Sequence, residues 1–304
     1  MRLRKALYDA GALPARRLQG PVVSVGNLSV GGSGKTPFVI LLGELLKARG
    51  IPFDVLSRGY RRQSKGVALV EPAGLPGQFG DEPLLITRRL QAPVILGEDR
   101  YQAGVFAEQH FGPRLHLLDD GFQHRQLARD FDIVLVTPDD ARDRLLPAGR
   151  LREPLSALGR ADVVVLASGA DGANFPLEGK TVWRVRRGIV TRDVPPRPLA
   201  FCGIARPQSF FAQLRKAGID PAAEVVFPDH HAYNEKDLRD LQFVAEQNEA
   251  GGFVTTEKDA VNLGGYLAAL KPLAVVTVKM ELVEAERALD YMLQTLNSRG
   301  KSVS

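Results

Sequence analysis

Gly31-Gly32-Ser33-Gly34-Lys35-Thr36 constrains this chain more than any other stretch. An apolar strand-like run, Pro21-Val-Val-Ser-Val-Gly26, leads into it. Lys35-Thr36 then opens an apolar helical run through Leu46 that ends near Gly50. A glycine-rich turn between a buried strand and a helix is the context a phosphate-binding loop requires. Its glycines let backbone N–H groups converge on phosphate oxygens, and the helix N-terminus adds partial positive charge. Lys35 would reach the β- and γ-phosphates, and Thr36 would ligate Mg²⁺. The full cradle runs Ser29, Val30, Gly31, Gly32, Ser33, Gly34, Lys35, Thr36, with Ser29 where such loops usually carry their first glycine. The competing reading is a strand–helix turn that binds no nucleotide.

Strand and helix patterns alternate beyond the loop. Phe53–Leu56, Pro93–Leu96, Leu115–Leu118, Ile133–Val136 and Asp162–Ala167 read as strands; Asp81–Leu90 and Glu98–His110 read as helices. This alternation predicts an α/β fold: a P-loop NTPase-like, mostly parallel sheet with helices on both faces. Ligands then sit at the carboxyl ends of the strands. Composition shifts near residues 170–198. Two β-like runs, Thr181–Val185 and Ile189–Val194, flank Arg186-Arg-Gly188, and Pro195-Pro-Arg-Pro198 follows. The expected organisation is a basic N-terminal helix (1–20), a P-loop domain (21–178), a β-hairpin linker (179–198) and a smaller α/β domain (199–304) closing the cleft.

The 304 residues fit two domains. Charge is uneven. Residues 1–62 hold eleven Lys and Arg against three Asp and Glu, while the whole chain is only +5. A basic end on a near-neutral body fits a phosphate-rich ligand, an anionic surface, or simply a solvated face. Leu3, Ala6, Leu7 and Ala10 fall at helical spacing among basic residues, so this segment either lies on a membrane or packs as a terminal helix. One cysteine excludes an internal disulfide and suits a reducing compartment. No apolar run is long enough to span a bilayer, and the N-terminus lacks a secretory signal's apolar region. The expectation is a cytoplasmic protein.

Leu115-His-Leu-Leu-Asp119-Asp120 reads as a strand presenting carboxylates at its carboxyl end. Beside a P-loop, such an acid holds Mg²⁺ directly or through water; the pattern leaves open which of the two does. Thr256-Glu257-Lys258-Asp259 is a poor match to the Asn-Lys-x-Asp guanine reader, which weakens a GTPase reading.

Seven strings occur in order: Gly26-Asn-Leu-Ser-Val-Gly-Gly-Ser-Gly-Lys-Thr-Pro37, Ser57-Arg-Gly-Tyr60, Gly80-Asp-Glu-Pro83, Leu118-Asp-Asp-Gly-Phe-Gln-His124, Leu146-Pro-Ala-Gly-Arg-Leu-Arg-Glu-Pro154, Phe227-Pro-Asp-His230 and Val254-Thr-Thr-Glu-Lys-Asp259. Together they resemble the tetraacyldisaccharide 4′-kinase (lipid A 4′-kinase) family from about residue 21 to the last strands. The resemblance implies transfer of the ATP γ-phosphate to the 4′-hydroxyl of a tetraacylated glucosamine disaccharide 1-phosphate, in lipopolysaccharide assembly. It also implies a peripheral position on the cytoplasmic face of the inner membrane, with ATP and Mg²⁺ as cofactors and no nucleic-acid or protein partner. By the same resemblance Asp81 is the catalytic base and His230 its support. A carboxylate within hydrogen-bond reach can take a sugar hydroxyl's proton, and a histidine bound to it orients it. From the residues alone, the favoured readings are a helix N-cap for Asp81 and a capping or packed loop position for His230.

Arg58, Arg61 and Arg62 follow the second strand and meet phosphate of ATP or acceptor, or form a solvated basic loop. Gln123 and His124 either orient the acid pair or build a turn. Arg150, Arg152 and Glu153 touch substrate or cross the domain interface. Glu257-Lys258-Asp259 caps a helix or contacts nucleotide. The segment before residue 21 lacks the Trp and longer apolar stretch usual in the family, and Arg61 replaces the glycine of its Ser-Arg-Gly-Tyr-Gly-Arg string. The remaining alternatives are a P-loop kinase of a soluble sugar or cofactor, and a nucleotide-switched ATPase or GTPase.

Overall fold

The computed structural model describes residues 13–59, 65–167 and 174–300, with the single positions 8, 62 and 170. Most of the expected N-terminal helix, and Arg61, lie outside the described residues. Arg16 and Arg17 are described and engaged: Arg16 pairs with Asp99 and stacks on Tyr101, and Arg17 meets Asp130 at 2.9 Å.

The strands are β1 (Val22–Asn27), β2 (Phe53–Ser57), β3 (Ala68–Leu69), β4 (Val94–Leu96), β5 (Leu115–Asp119), β6 (Phe131–Val136), β7 (Val163–Ala167), β8 (Thr181–Val190), β9 (Leu199–Cys202), β10 (Ala223–Val226), β11 (Phe253–Thr256) and β12 (Leu273–Leu282). The main helices are α1 (Lys35–Ala48), α2 (Asp81–Leu90), α3 (Arg100–Phe111), α4 (Pro207–Lys216), α5 (Glu235–Gln247), α6 (Glu257–Leu263) and α7 (Ala285–Ser298). The strands form one mostly parallel sheet in the order β10-β9-β11-β12-β8-β7-β6-β1-β5-β2-β4-β3.

Period-two alternation assigns the faces. Val23 and Val25 of β1 and Leu115 and Leu117 of β5 pack with Phe38, Leu42 and Leu46 of α1 on one face. Val22 and Leu118 point the other way, against Ala103 and Ala107 of α3. Burying each such large aliphatic or aromatic side chain contributes about 1.5–3 kcal/mol. Two further clusters cover the faces of β9 and β11.

The expected hairpin within 179–198 is replaced by another pairing. Its first run and the start of its second join into the single strand β8, which lies parallel to β7 and antiparallel to β12. Arg186-Arg-Gly188 holds no turn dipeptide of the kind a two-residue hairpin needs. Gly188 stays in register opposite Lys279. The sheet is thus continuous across the expected domain boundary. Sequence reading also missed β3 and the helical turn Pro76–Phe79, whereas the helix capped at Glu257-Lys258-Asp259 is present as α6.

Strand β1 sits between β5 and β6, so the loops after β1 and β5 open side by side. Gly26 is set tightly there: a side chain on it would meet Phe122 Cβ at 2.5 Å and Phe122 N at 2.9 Å. Gly26→Ala is expected to destabilise the protein by about 1–3 kcal/mol through overpacking, measured as a lower urea midpoint with unchanged slope.

Candidate active site

The P-loop leaves β1 and enters α1 with Gly31, Gly32 and Gly34 at φ 79°, 49° and 87°. Those left-handed conformations suit glycine and strain other residues. Gly34 is the N-cap of α1 and offers no side chain to the first-turn N–H groups. These donors are free for an outside acceptor. Ser33 Oγ is buried with no hydrogen-bond partner, a second polar group awaiting one.

Lys35 Nζ donates to Asn27 Oδ1 at 3.0 Å and meets Asp120 at 3.4 Å. Arg152 reaches the same Asp120 through both terminal nitrogens, at 2.8 and 2.9 Å, and also donates to Asn27. Asp120, at the end of β5 with φ 51°, is therefore held below the usual carboxylate range. Its burial works the other way, but Lys35 and Arg152 outweigh it. Its neighbour Asp119 has the opposite environment. Burial, Glu82 and Asp120 push its carboxyl up to about 7, against Lys35 and a 2.9 Å hydrogen bond from Ser57.

Asp81 is the first residue of α2, and Gly80 holds the N-cap position. Asp81 is 5% exposed. His230 Nδ1 stands 2.9 and 3.0 Å from its two oxygens, and Asn262 Nδ2 donates at 3.2 Å. Lys258 Nζ lies 3.2 Å from His230 Nε2 and 3.8 Å from Asp81. This geometry suits a proton on Nδ1 donated to Asp81, with Nε2 turned to the Lys258 ammonium. Burial raises the Asp81 pKa, but the His230 hydrogen bond and the Lys258 charge more than reverse this, so the carboxyl sits below its ordinary value.

Lys258 and Asn262 were not singled out as partners of Asp81. The Val254–Asp259 string contained the first, but only the fold shows what it faces. Thr256 is the cap of α6; Glu257 binds Arg89 of α2 at 2.9 Å; Lys258 faces the Asp81 pair. Asp259 is buried and accepts from Gly203 N and Tyr233 OH, each at 2.8 Å, while His230 N donates to Gly203 O. That turn holds His230 at φ 60°.

One cleft of about 1530 Å³ is lined by Val30 through Thr36, Arg58, Asp81, Asp119, Asp120, Arg152 and His230. Ser29 lies behind it, bridged to Leu151. Gln123 also lies outside the lining, donating to Asn27 O at 2.9 Å under the loop. His124 closes a turn on Gly121 O, and Arg62 folds back onto Gly66 O. Among the described residues, no group of three or more His, Cys, Asp or Glu could hold a metal by itself.

The nearby ends of parallel strands, the P-loop and the cleft define a protein of P-loop NTPase architecture. A solved structure of the same shape is the "apo" form of LpxK from Aquifex aeolicus in complex with ATP: TM-score 0.81, 36% identity, covering 97% of this chain and 94% of that one. The family model described as tetraacyldisaccharide-1-P 4′-kinase matches residues 1–297. This chain belongs to that family and is a kinase. Curated tetraacyldisaccharide 4′-kinases from Koribacter versatilis and Aquifex aeolicus are 51% and 39% identical to it. The first alignment covers 97% of this chain and 95% of the relative; the second, 95% and 93%.

Replacing Lys258 with Met removes a cation that favours the ionised Asp81. The Asp81 carboxyl is expected to titrate at higher pH in Lys258→Met than in the parent, followed by carboxyl-carbon NMR. An unchanged titration would mean that Lys258 does not hold Asp81 in its charged state.

Proposed function

We propose that the chain transfers the γ-phosphate of ATP to the 4′-hydroxyl of a tetraacylated glucosamine disaccharide 1-phosphate, a lipid A precursor. The observation that carries the proposal is the Asp81–His230 pair opening into the same cleft as the P-loop. A hydroxyl is a weak nucleophile, and an ionised carboxylate in reach can accept its proton as the phosphorus–oxygen bond forms. His230 orients the carboxylate, and Lys258 and Asn262 keep it charged. A nucleotide-switched ATPase needs no such pair, which favours the kinase reading over that alternative.

In this reading Gly31 to Thr36 cradle the nucleotide phosphates, and Lys35 exchanges Asp120 for phosphate oxygen. The residues fit a magnesium ion. Asp119 is a carboxylate held up in pKa by burial and by the charges of Glu82 and Asp120, which a cation would offset, and Thr36 lines the same cleft. Lys35 and Arg152 already claim Asp120. Asp119 is therefore the acid nearer the metal, with Thr36 beside it. Two protein oxygens plus phosphates and water is a usual Mg²⁺ shell. Bound there, the ion would neutralise charge building on the transferred phosphoryl group. Arg58 and Arg152 line the cleft as phosphate contacts.

Among the described residues no helix is long and apolar enough to cross a membrane. We place the enzyme peripherally on the cytoplasmic face of the inner membrane, where the acceptor's acyl chains reside. The excess of basic residues in 1–62 supports contact with an anionic surface.

The test is phosphate transfer from labelled ATP to the lipid disaccharide. Lys35→Ala is expected to lower kcat about 100-fold or more, and Asp81→Asn by about 100- to 10,000-fold. Transfer undiminished in Lys35→Ala would overturn the P-loop assignment. Equal turnover of the disaccharide stripped of its acyl chains would favour a soluble-sugar kinase.

A further inference from the structure

Two arginines from the C-terminal half lie over the P-loop, and nothing above uses them. Arg187 is on β8 and Arg206 is the N-cap residue of α4. A side chain at Gly34 would meet Arg187 Nη1 at 3.6 Å; one at Gly32 would meet Arg206 Cδ and Nε at 2.9 Å. The guanidiniums therefore stand directly against the two glycines whose backbone shapes the loop.

Both are short of partners. Arg187 Nε and Arg206 Nη2 are buried without a hydrogen-bond partner. Arg187 makes no ion pair among the described residues; Arg206 pairs with Asp139 at 3.2 Å, a carboxylate 59% exposed. The two cations also face each other: burial and the charge of Arg206 push the Arg187 pKa down. Guanidiniums kept for structure are matched with carboxylates or carbonyls, because an unpaired buried cation costs stability. Two of them side by side, at the mouth of an anion-binding loop, fit a polyanion placed between them.

We propose that Arg187 and Arg206 form a clamp that grips the β- and γ-phosphates of the nucleotide from the side opposite the P-loop amides. The proposal rests on the nucleotide reading given above. It makes the strand β8 and the turn before α4 part of the phosphate site. It also gives the C-terminal half a second task besides supplying His230, because a bound polyphosphate would stabilise Arg187, which makes no ion pair among the described residues.

The experiment compares Arg187→Met, Arg206→Met, the double variant, Arg187→Lys and Lys35→Ala in the full chain. Binding of MgATP and of adenosine is measured by calorimetry, thermal unfolding is followed with and without MgATP, and steady-state kinetics are recorded for both substrates. Arg187→Met is expected to weaken MgATP binding about tenfold or more, the scale of a lost charge-assisted hydrogen bond, while leaving adenosine binding and the KM for the lipid acceptor unchanged. Arg187→Lys recovers part of the loss. Without ligand, Arg187→Met unfolds at or above the parent temperature, since it removes an unpaired cation, and its MgATP-induced rise in Tm shrinks. Unchanged MgATP binding in the double variant, with binding lost in Lys35→Ala, would overturn the clamp and leave the P-loop reading standing. Binding retained in Lys35→Ala as well would overturn both. A lower ligand-free Tm with equal losses for adenosine and MgATP would assign the arginines to structure and overturn the clamp.

Discussion

A carboxylate that is almost fully buried keeps its charge only if something nearby supplies the stabilisation that water would have given it. For Asp81 one hydrogen bond comes from its own helix, donated by Glu82 N at 2.9 Å, and the side-chain partners come from across the cleft. His230, Lys258 and Asn262 all belong to the C-terminal half, while Asp81 begins a helix of the N-terminal half. Removing one partner of such a cluster leaves an uncompensated charge, typically a loss of about 3–5 kcal/mol. The pairing therefore does two things at once. It fixes α2 against α6, together with the Arg89–Glu257 contact, and it keeps a base ionised at the edge of the cleft. A domain arrangement that separated the halves would lose both.

The adjacent acids Asp119 and Asp120 show how environment divides identical side chains. One residue apart on the chain, they face opposite ways. Asp120 turns toward Lys35 and Arg152 and gives up its proton easily; Asp119, on the interior strand β5 beside Ser57, is buried with Glu82 and Asp120 raising its pKa against Lys35, and holds its proton to about 7. Asp120 thus occupies the cations that phosphate would need, and Asp119 carries a burial and like-charge penalty that a metal ion would offset. Splitting the affinities of two carboxylates is a general route to giving them separate tasks.

Much of this was legible in the sequence because it is local. The Gly31–Thr36 loop, the strand ending at Asp119 and the helix Glu98–His110 depend on periodicity, glycine and caps within a few residues. The Asp99 cap, for instance, accepts from Tyr101 N and Gln102 N. The Asp81–His230 pair came from ordered motifs rather than from spacing, since residues 149 positions apart carry no periodic signal. Lys258 was visible as part of a string, yet its partners were not. Nothing local distinguishes a lysine that faces solvent from one that faces three acids, and only the packing of α6 against α2 decides between them.

The reading of 179–198 failed for a reason that bears on function. A hairpin there would place Arg186-Arg187-Gly188 in a turn at the surface. As one strand, the same residues obey a strict alternation. Trp183 and Val185 face the core, and Arg187 and Ile189 continue that face past the end of the core into the cleft; Arg184 and Arg186 point outward. A shift of one residue would exchange Arg186 for Arg187 and turn Trp183 to solvent. The aromatic stacking of Trp183 on Phe131, at 6.2 Å between centroids, opposes that shift. Burial of an indole four residues away is thus what points Arg187 at the phosphate loop. The strand pairing of β8 with β12 carries that orientation across the boundary between the halves.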